Sequence, residues 1–384
     1  MNRHLSRSVG AGAAALALAG CELGAKDSTQ TGFRGAGVQQ IVDRSSIAEA
    51  TAIPAEAYPL PPDGGPTAAQ TYQNVQVLGA VSAERFNHLM AQMNQWVVPA
   101  NAPAEQAGCN YCHNPENMAS DEKYTKVVAR RMLQMTRTIN SRWSSHVKQT
   151  GVTCYTCHRG NAVPANVWTM AQGTPDPTTI RGNKRGQNTP DPNVGYASLP
   201  SDPFAAYFNG QGENQIRVAS SRALPSPDHV ASIKNAEASY GLMMHVSTAL
   251  GVNCTYCHNT QSFRAWNLSS AQRGTAYYGI RMVGDANKNY ITPLTSVFPA
   301  NRKGPHGDPY KVNCTTCHQG LPKPLGGVSM IAQAPSLRGA PMAVAAPVGG
   351  AAVPKAFNDP ASMVEKSGAS PPTTRTALPT VTGE

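Results

Sequence analysis

Apolar residues recur at helical spacing along four stretches of the chain. From Ser82, placed to cap a helix with Glu84 in its first turn, Phe86, Leu89, Met90, Met93 and Val97 line one face, and Pro99 marks the end. After Asp121 and Glu122, the residues Val128, Met132, Met135, Ile139, Trp143 and His146 follow one stripe in steps of three and four. That pattern predicts a long helix stopped by Gly151. A third helix is expected from Asp228 as its cap, through Ile233, Ala236, Tyr240 and Met243, to Gly251, and a fourth over residues 277–288. Alternation over residues 72–78 reads as a short strand.

A pentapeptide follows each predicted helix. The four are Cys109-Asn110-Tyr111-Cys112-His113, Cys154-Tyr155-Thr156-Cys157-His158, Cys254-Thr255-Tyr256-Cys257-His258 and Cys314-Thr315-Thr316-Cys317-His318. Each is C-x-x-C-H, the attachment signature of a c-type haem. Two thiols on one turn reach the two porphyrin vinyl groups, and the adjacent imidazole reaches the iron. Zinc knuckles and thioredoxin-like pairs also use paired cysteines, but neither explains a histidine after every second one. Eight of the nine cysteines are used this way, which predicts four covalently bound haem c groups.

Composition fits that picture. Aromatics are 6% and charged residues 14% of 384, while Gly (34) and Pro (31) are abundant, so side chains alone make a poor core for this length. Four porphyrins make up the shortage. The expected fold is mainly α with long irregular loops, a multihaem cytochrome c with two pseudo-repeated haem-pair halves built from helix–turn–CxxCH units. Internal echoes support the repeat: Gly151-Val152-Thr153-Cys154 against Gly251-Val252-Asn253-Cys254, and Arg131-Met132 against Arg281-Met282. The formal charge of +10 is offset by about eight porphyrin propionates, so the basic balance does not imply nucleic acid.

The halves are expected at residues 71–165 and 228–326, joined by a connector at 166–227 that carries Thr-Pro-Asp-Pro twice. Beyond 326 an Ala- and Pro-rich stretch to 384 reads as a disordered tail. Residues 1–20, with Arg3 and Arg7 before a short apolar run, read as an export signal. The run ends in Leu18-Ala19-Gly20-Cys21, which resembles the lipobox of bacterial lipoproteins and makes Cys21 the expected lipidation site, anchoring an extended arm over 21–70 to a membrane.

A haem that only carries electrons needs its sixth position filled. Candidates lie on the predicted helices: Met90 or Met93, Met132 or Met135, and Met243 or Met244. His146 lies fourteen residues after Met132 on nearly the same face, about 21 Å along a straight helix, which places the two at neighbouring haems. His4, His88, His229, His245 and His306 read as surface or packing residues.

Several features together resemble the tetrahaem cytochrome subunit of purple-bacterial photosynthetic reaction centres. They are the lipobox, the Leu89-Met90-x-x-Met93-x-x-Trp96-Val97 run, Tyr124-Thr125-Lys126-Val127-Val128-Ala129-Arg130-Arg131-Met132-Leu133-Gln134-Met135-Thr136, residues 151–160, and Gly279-Ile280-Arg281-Met282. The resemblance implies electron transfer rather than catalysis. Electrons would pass from a soluble donor (a cytochrome c or a high-potential iron–sulfur protein) to the photo-oxidised bacteriochlorophyll pair of the L and M subunits, on the periplasmic face of the photosynthetic membrane. It further implies axial pairs Met90 with His113, Met132 with His158, Met243 with His258 and His146 with His318, with Met282 left to packing. Arg273 and Arg281 are candidates for raising the third haem's potential, or for pairing with propionates. The competing readings are a multihaem oxidoreductase acting on a small molecule and a membrane-anchored shuttle without a photosynthetic partner.

Overall fold

The computed structural model describes residues 25–30, 39–170, 191–209, 216, 218 and 233–339. The export signal, Cys21, Asp228, His4 and His229 lie outside them. The described chain is mainly helical, and its one sheet is a two-stranded antiparallel ribbon of β1 (Lys26–Gln30) and β2 (Gln39–Asp43). The helices in order are α1 (Arg44–Thr51), α2 (Ala68–Thr71), α3 (Ala83–Val97), α4 (Tyr124–Arg142), α5 (Ser144–Val147), α6 (Cys154–His158), α7 (Phe204–Tyr207), α8 (Ile233–Leu250), α9 (Ala271–Ala286) and α10 (Cys314–His318). Among the described residues no helix is long and apolar enough to cross a membrane.

Helix α3 starts after Ser82 and stops before Pro99, as its sequence predicts. The expected strand at 72–78 does not form. Asn74 takes a left-handed φ of 59°, where its carboxamide donates to Ala119 O and Asp121 Oδ1, and this bends the run out of extended geometry. The long second helix breaks at Trp143 (φ −103°, ψ 25°), so α4 and α5 are separate segments. The along-axis distance from Met132 to His146, taken for an unbroken helix, therefore does not apply. Helix α9 begins six residues earlier than expected and runs on into a π-helical turn, Asn287–Ile291.

Two cores hold these elements. The first gathers Val77, Leu78, Leu89, Met93, Trp96, Leu133 and Cys154, and it also takes in Leu325, Met330, Ile331, Ala334 and Leu337. Residues 327–339 are thus not the start of a disordered tail. They return across the molecule, where Arg137 Nη1 donates to Ser336 O (2.6 Å) and Asn140 Nδ2 to Leu337 O (3.0 Å). The second core packs Leu242, Val246, Ala249 and Leu250 of α8 against Ile280 and Val283 of α9, with Trp168, Phe204 and Phe208. All three of those aromatics come from the expected connector, which is locally folded over 191–209. There Asp191 caps a 3₁₀ turn, Pro192–Val194, ahead of α7. The arm is also not bare, since α1 follows the ribbon and Tyr155 and Arg159 donate to Ala52 O and Ala50 O.

The face of α8 read as apolar from the sequence is the more open one. Ile233 is 79% and Tyr240 55% exposed, while Leu242, His245, Val246 and Ala249 face the protein core. His245 is enclosed by Phe204 and Phe208, and His88 Nε2–H donates to Tyr58 O, so both are packing residues.

Candidate haem-binding site

Each pentapeptide forms one tight turn. Motifs two and four are the short helices α6 and α10, capped by Thr153 and Asn313, whose backbone N–H groups donate to Thr156 and Thr316 Oγ1 at 2.9 Å. Motifs one and three are 3₁₀ turns closed by His113 N to Cys109 O and His258 N to Cys254 O, each 2.9 Å. In all four, the hydrogen bonding of a single turn brings both cysteines and the histidine close together.

The histidines share a second feature. His113 Nδ1 meets Met118 O at 2.9 Å, His158 Nδ1 meets Asn161 O at 2.8 Å, His258 Nδ1 meets Phe263 O at 2.7 Å, and His318 Nδ1 meets Leu321 O at 2.9 Å. A carbonyl only accepts, so Nδ1 carries the proton and Nε2 keeps its lone pair for a metal. His146 obeys the same rule through Thr275 O at 2.9 Å. Burial lowers His146, His158 and His258 below the usual imidazole range, and burial together with His146 lowers His318 to about 4. These rings are neutral at pH 7, the form that binds metals. His146 and His318 stand face to edge, ring centroids 6.0 Å apart.

The thiols behave unlike redox-active cysteines. Burial pushes Cys154 and Cys314 up to about 12, Cys257 to about 11, and raises Cys112, whereas thioredoxin-like chemistry needs a depressed value. Among the described residues no group of three or more His, Cys, Asp or Glu converges as a zinc site would require. Of the expected sixth ligands, Met90, Met132 and Met243 are all half-buried rather than sealed in a core. In α4 only Leu133, Thr136 and Thr138 are buried, so most of this long central helix has surface free to meet a cofactor. The donor set therefore fits haem c.

Known proteins agree with this chemistry. Residues 22–338 match the family described as photosynthetic reaction centre cytochrome C subunit. The photosynthetic reaction center cytochrome c subunit of Rubrivivax gelatinosus is 50% identical over 87% of this chain and 89% of its own length. Its namesake from Thermochromatium tepidum is 45% identical over 84% and 78%, and that of Roseobacter denitrificans 38% over 81% and 85%. The chain belongs to the reaction-centre cytochrome c subunit family. It is an electron-transfer component of a photosynthetic reaction centre, associates with the photosynthetic membrane, and carries covalently bound haem c.

One feature of the cytochrome's cysteines was not foreseen. Cys157 and Cys317, the second cysteines of motifs two and four, are joined as a disulfide with Cα atoms 4.6 Å apart. A sulfur in a disulfide cannot also form a thioether, so both must be free thiols when the vinyl groups add. The link runs between motifs rather than within one, and α6 and α10 lie side by side. Sequence reasoning also missed the five carbonyls that orient the imidazoles. Backbone acceptors leave no residue-type signal, although their offsets are regular: five residues on for His113 and His258, three for His158 and His318. Arg273 stacks over Trp266 at 4.1 Å and Arg281 over Tyr277 at 3.5 Å, both beside the third motif's loop.

Proposed function

We propose that this chain holds four haems and relays electrons from a soluble periplasmic donor to the bacteriochlorophyll pair held by the L and M subunits. The observation that carries the proposal is the common state of five imidazoles, each with Nδ1 on a backbone carbonyl and Nε2 free. Bound haem supplies an iron that changes charge by one without bond making or breaking. The chain's own work is to fix the ligands and keep water from the irons. The motif histidines would each hold a haem iron through nitrogen, and Met90, Met132 and Met243 would add a sulfur ligand at the haems of His113, His158 and His258. His146 would add a second nitrogen ligand at the haem of His318, while buried Met282 stays a packing residue. The contact between α6 and α10 supports neighbouring second and fourth haems.

The matched carbonyl offsets support a two-half repeat. So do Thr125 Oγ1 on Tyr111 O and Ser270 Oγ on Tyr256 O, both 2.6 Å and fourteen residues apart in sequence. These pair motif one with three and two with four, a different register from the Gly-Val echo at 151 and 251. The lipobox-like Leu18–Cys21 supports a lipid anchor at Cys21 on the periplasmic face. A flash given to the intact complex in reduced membranes tests the function. The pigment pair is oxidised first, and the haem at Cys254, Cys257 and His258 then re-reduces it within microseconds. Haem spectra unchanged by the flash would refute the relay.

A further inference from the structure

His146 reaches its place opposite His318 through α9 rather than through its own helix. The chain leaves α4 at Trp143, whose Nε1–H donates to Asp285 Oδ2 at 2.8 Å, and three residues later His146 Nδ1–H donates to Thr275 O at 2.9 Å. Both acceptors belong to α9. Between them, one turn beyond Thr275, lies Gly279. A Cβ there would stand 2.5 Å from His146 Cε1, 2.7 Å from Nδ1 and 3.2 Å from Nε2. Ordinary contact between carbons begins near 3.5 Å, so the ring would have to retreat by about 1 Å.

The glycine has no backbone reason to be there. It sits inside α9 without positive φ, a position where glycine is less favourable than alanine. Its value lies in the space it leaves. The imidazole fills that space, tied at Nδ1 to Thr275 O and with the His318 ring 6.0 Å away, centroid to centroid. We propose that Gly279 and the Thr275 carbonyl form a seat that positions His146 Nε2 as the axial ligand of the haem at Cys314, Cys317 and His318. This rests on the bis-histidine reading of that haem. Gly279 acts only through the ring it accommodates.

The test uses the haem-loaded full chain in its membrane complex. Gly279→Ala should remove the low-spin bis-imidazole signature from one haem and raise that haem's midpoint potential, with the other three unchanged. In a His146→Gly variant, added imidazole should enter the vacated seat and restore the low-spin signal. In the His146→Gly, Gly279→Ala double variant, where the methyl has room and folding is not at issue, imidazole should bind at least ~10-fold more weakly. Wild-type spectra and potentials in Gly279→Ala, or equal imidazole rescue in the two His146→Gly backgrounds, would overturn the seat while leaving His146 as ligand. A His146→Leu variant that is silent at every haem would overturn the bis-histidine reading, and the seat with it.

Discussion

Asp121 illustrates how a residue's role shifts between sequence and structure. An acid ahead of a helix suggests interaction with the helix dipole, yet Asp121 lies three residues before α4 and works through named partners. Arg130 donates to both its oxygens (3.0 and 2.9 Å), Asn74 donates at 2.9 Å, and Lys126 stands 3.2 Å away. Arg130 beside it, with Asn74 and Lys126, holds its carboxyl well below the ordinary carboxylate range. The group is 37% exposed, so solvent screens the pairing and its worth is about 1 kcal/mol or less. A depressed carboxyl stabilises the fold above its unfolded value near 4 and loses that contribution as pH falls through the lower folded value. Asp121→Asn should lower the melting temperature slightly at pH 7, and the difference from wild type should shrink below pH 4. An unchanged difference between pH 7 and pH 3 would show that the effect comes from hydrogen-bond geometry, not charge.

At the scale of elements, helices announced by periodicity and punctuation were legible: Ser82 and Pro99 bracket α3, and the stripe from Val128 to Ile139 marks α4. What periodicity misjudged was which face meets protein. On α8 the side of Ile233 and Tyr240 stays open while His245 turns inward, because Leu242, Val246 and Ala249 on that side pack into the second core. The pentapeptides were legible in full, since their chemistry is local. The carbonyls that orient their histidines were not, because they depend on where each loop returns. The segment after 326 failed for a related reason. Its composition is low in complexity, but Met330, Ile331 and Leu337 supply apolar anchors at irregular intervals to a core built 200 residues earlier in the chain, on the order of 1.5–3 kcal/mol each. Leu337 is fully buried, so Leu337→Ala should cost about 2–5 kcal/mol, measured by thermal or denaturant unfolding. The loss should fall on α4 and its contacts, leaving the spectrum of the haem at His258 unchanged. A cost below about 0.5 kcal/mol, the range of surface changes, would mean that the segment does not belong to the first core.

For the whole molecule, the decisive quantity is charge. The formal charge of +10 would become +8 on removal of residues 1–20 as an export signal, because Arg3 and Arg7 are the only charged side chains there. The four porphyrins proposed above would bring about eight propionates, and each iron–porphyrin centre is neutral when ferrous and +1 when ferric. The reduced protein should therefore be nearly neutral and the oxidised one about four charges more positive. That difference matters at the donor's docking surface, since each electron delivered changes the field the next donor meets by one charge. The expectation is checked by isoelectric focusing of the detergent-solubilised, haem-loaded protein under reducing and oxidising conditions. The isoelectric point should fall well below the 9.2 of the bare sequence, lower in the reduced form than in the oxidised one. A value that stays near 9.2 in both redox states would mean that fewer than four porphyrins are carried, or that their carboxylates are protonated within the fold.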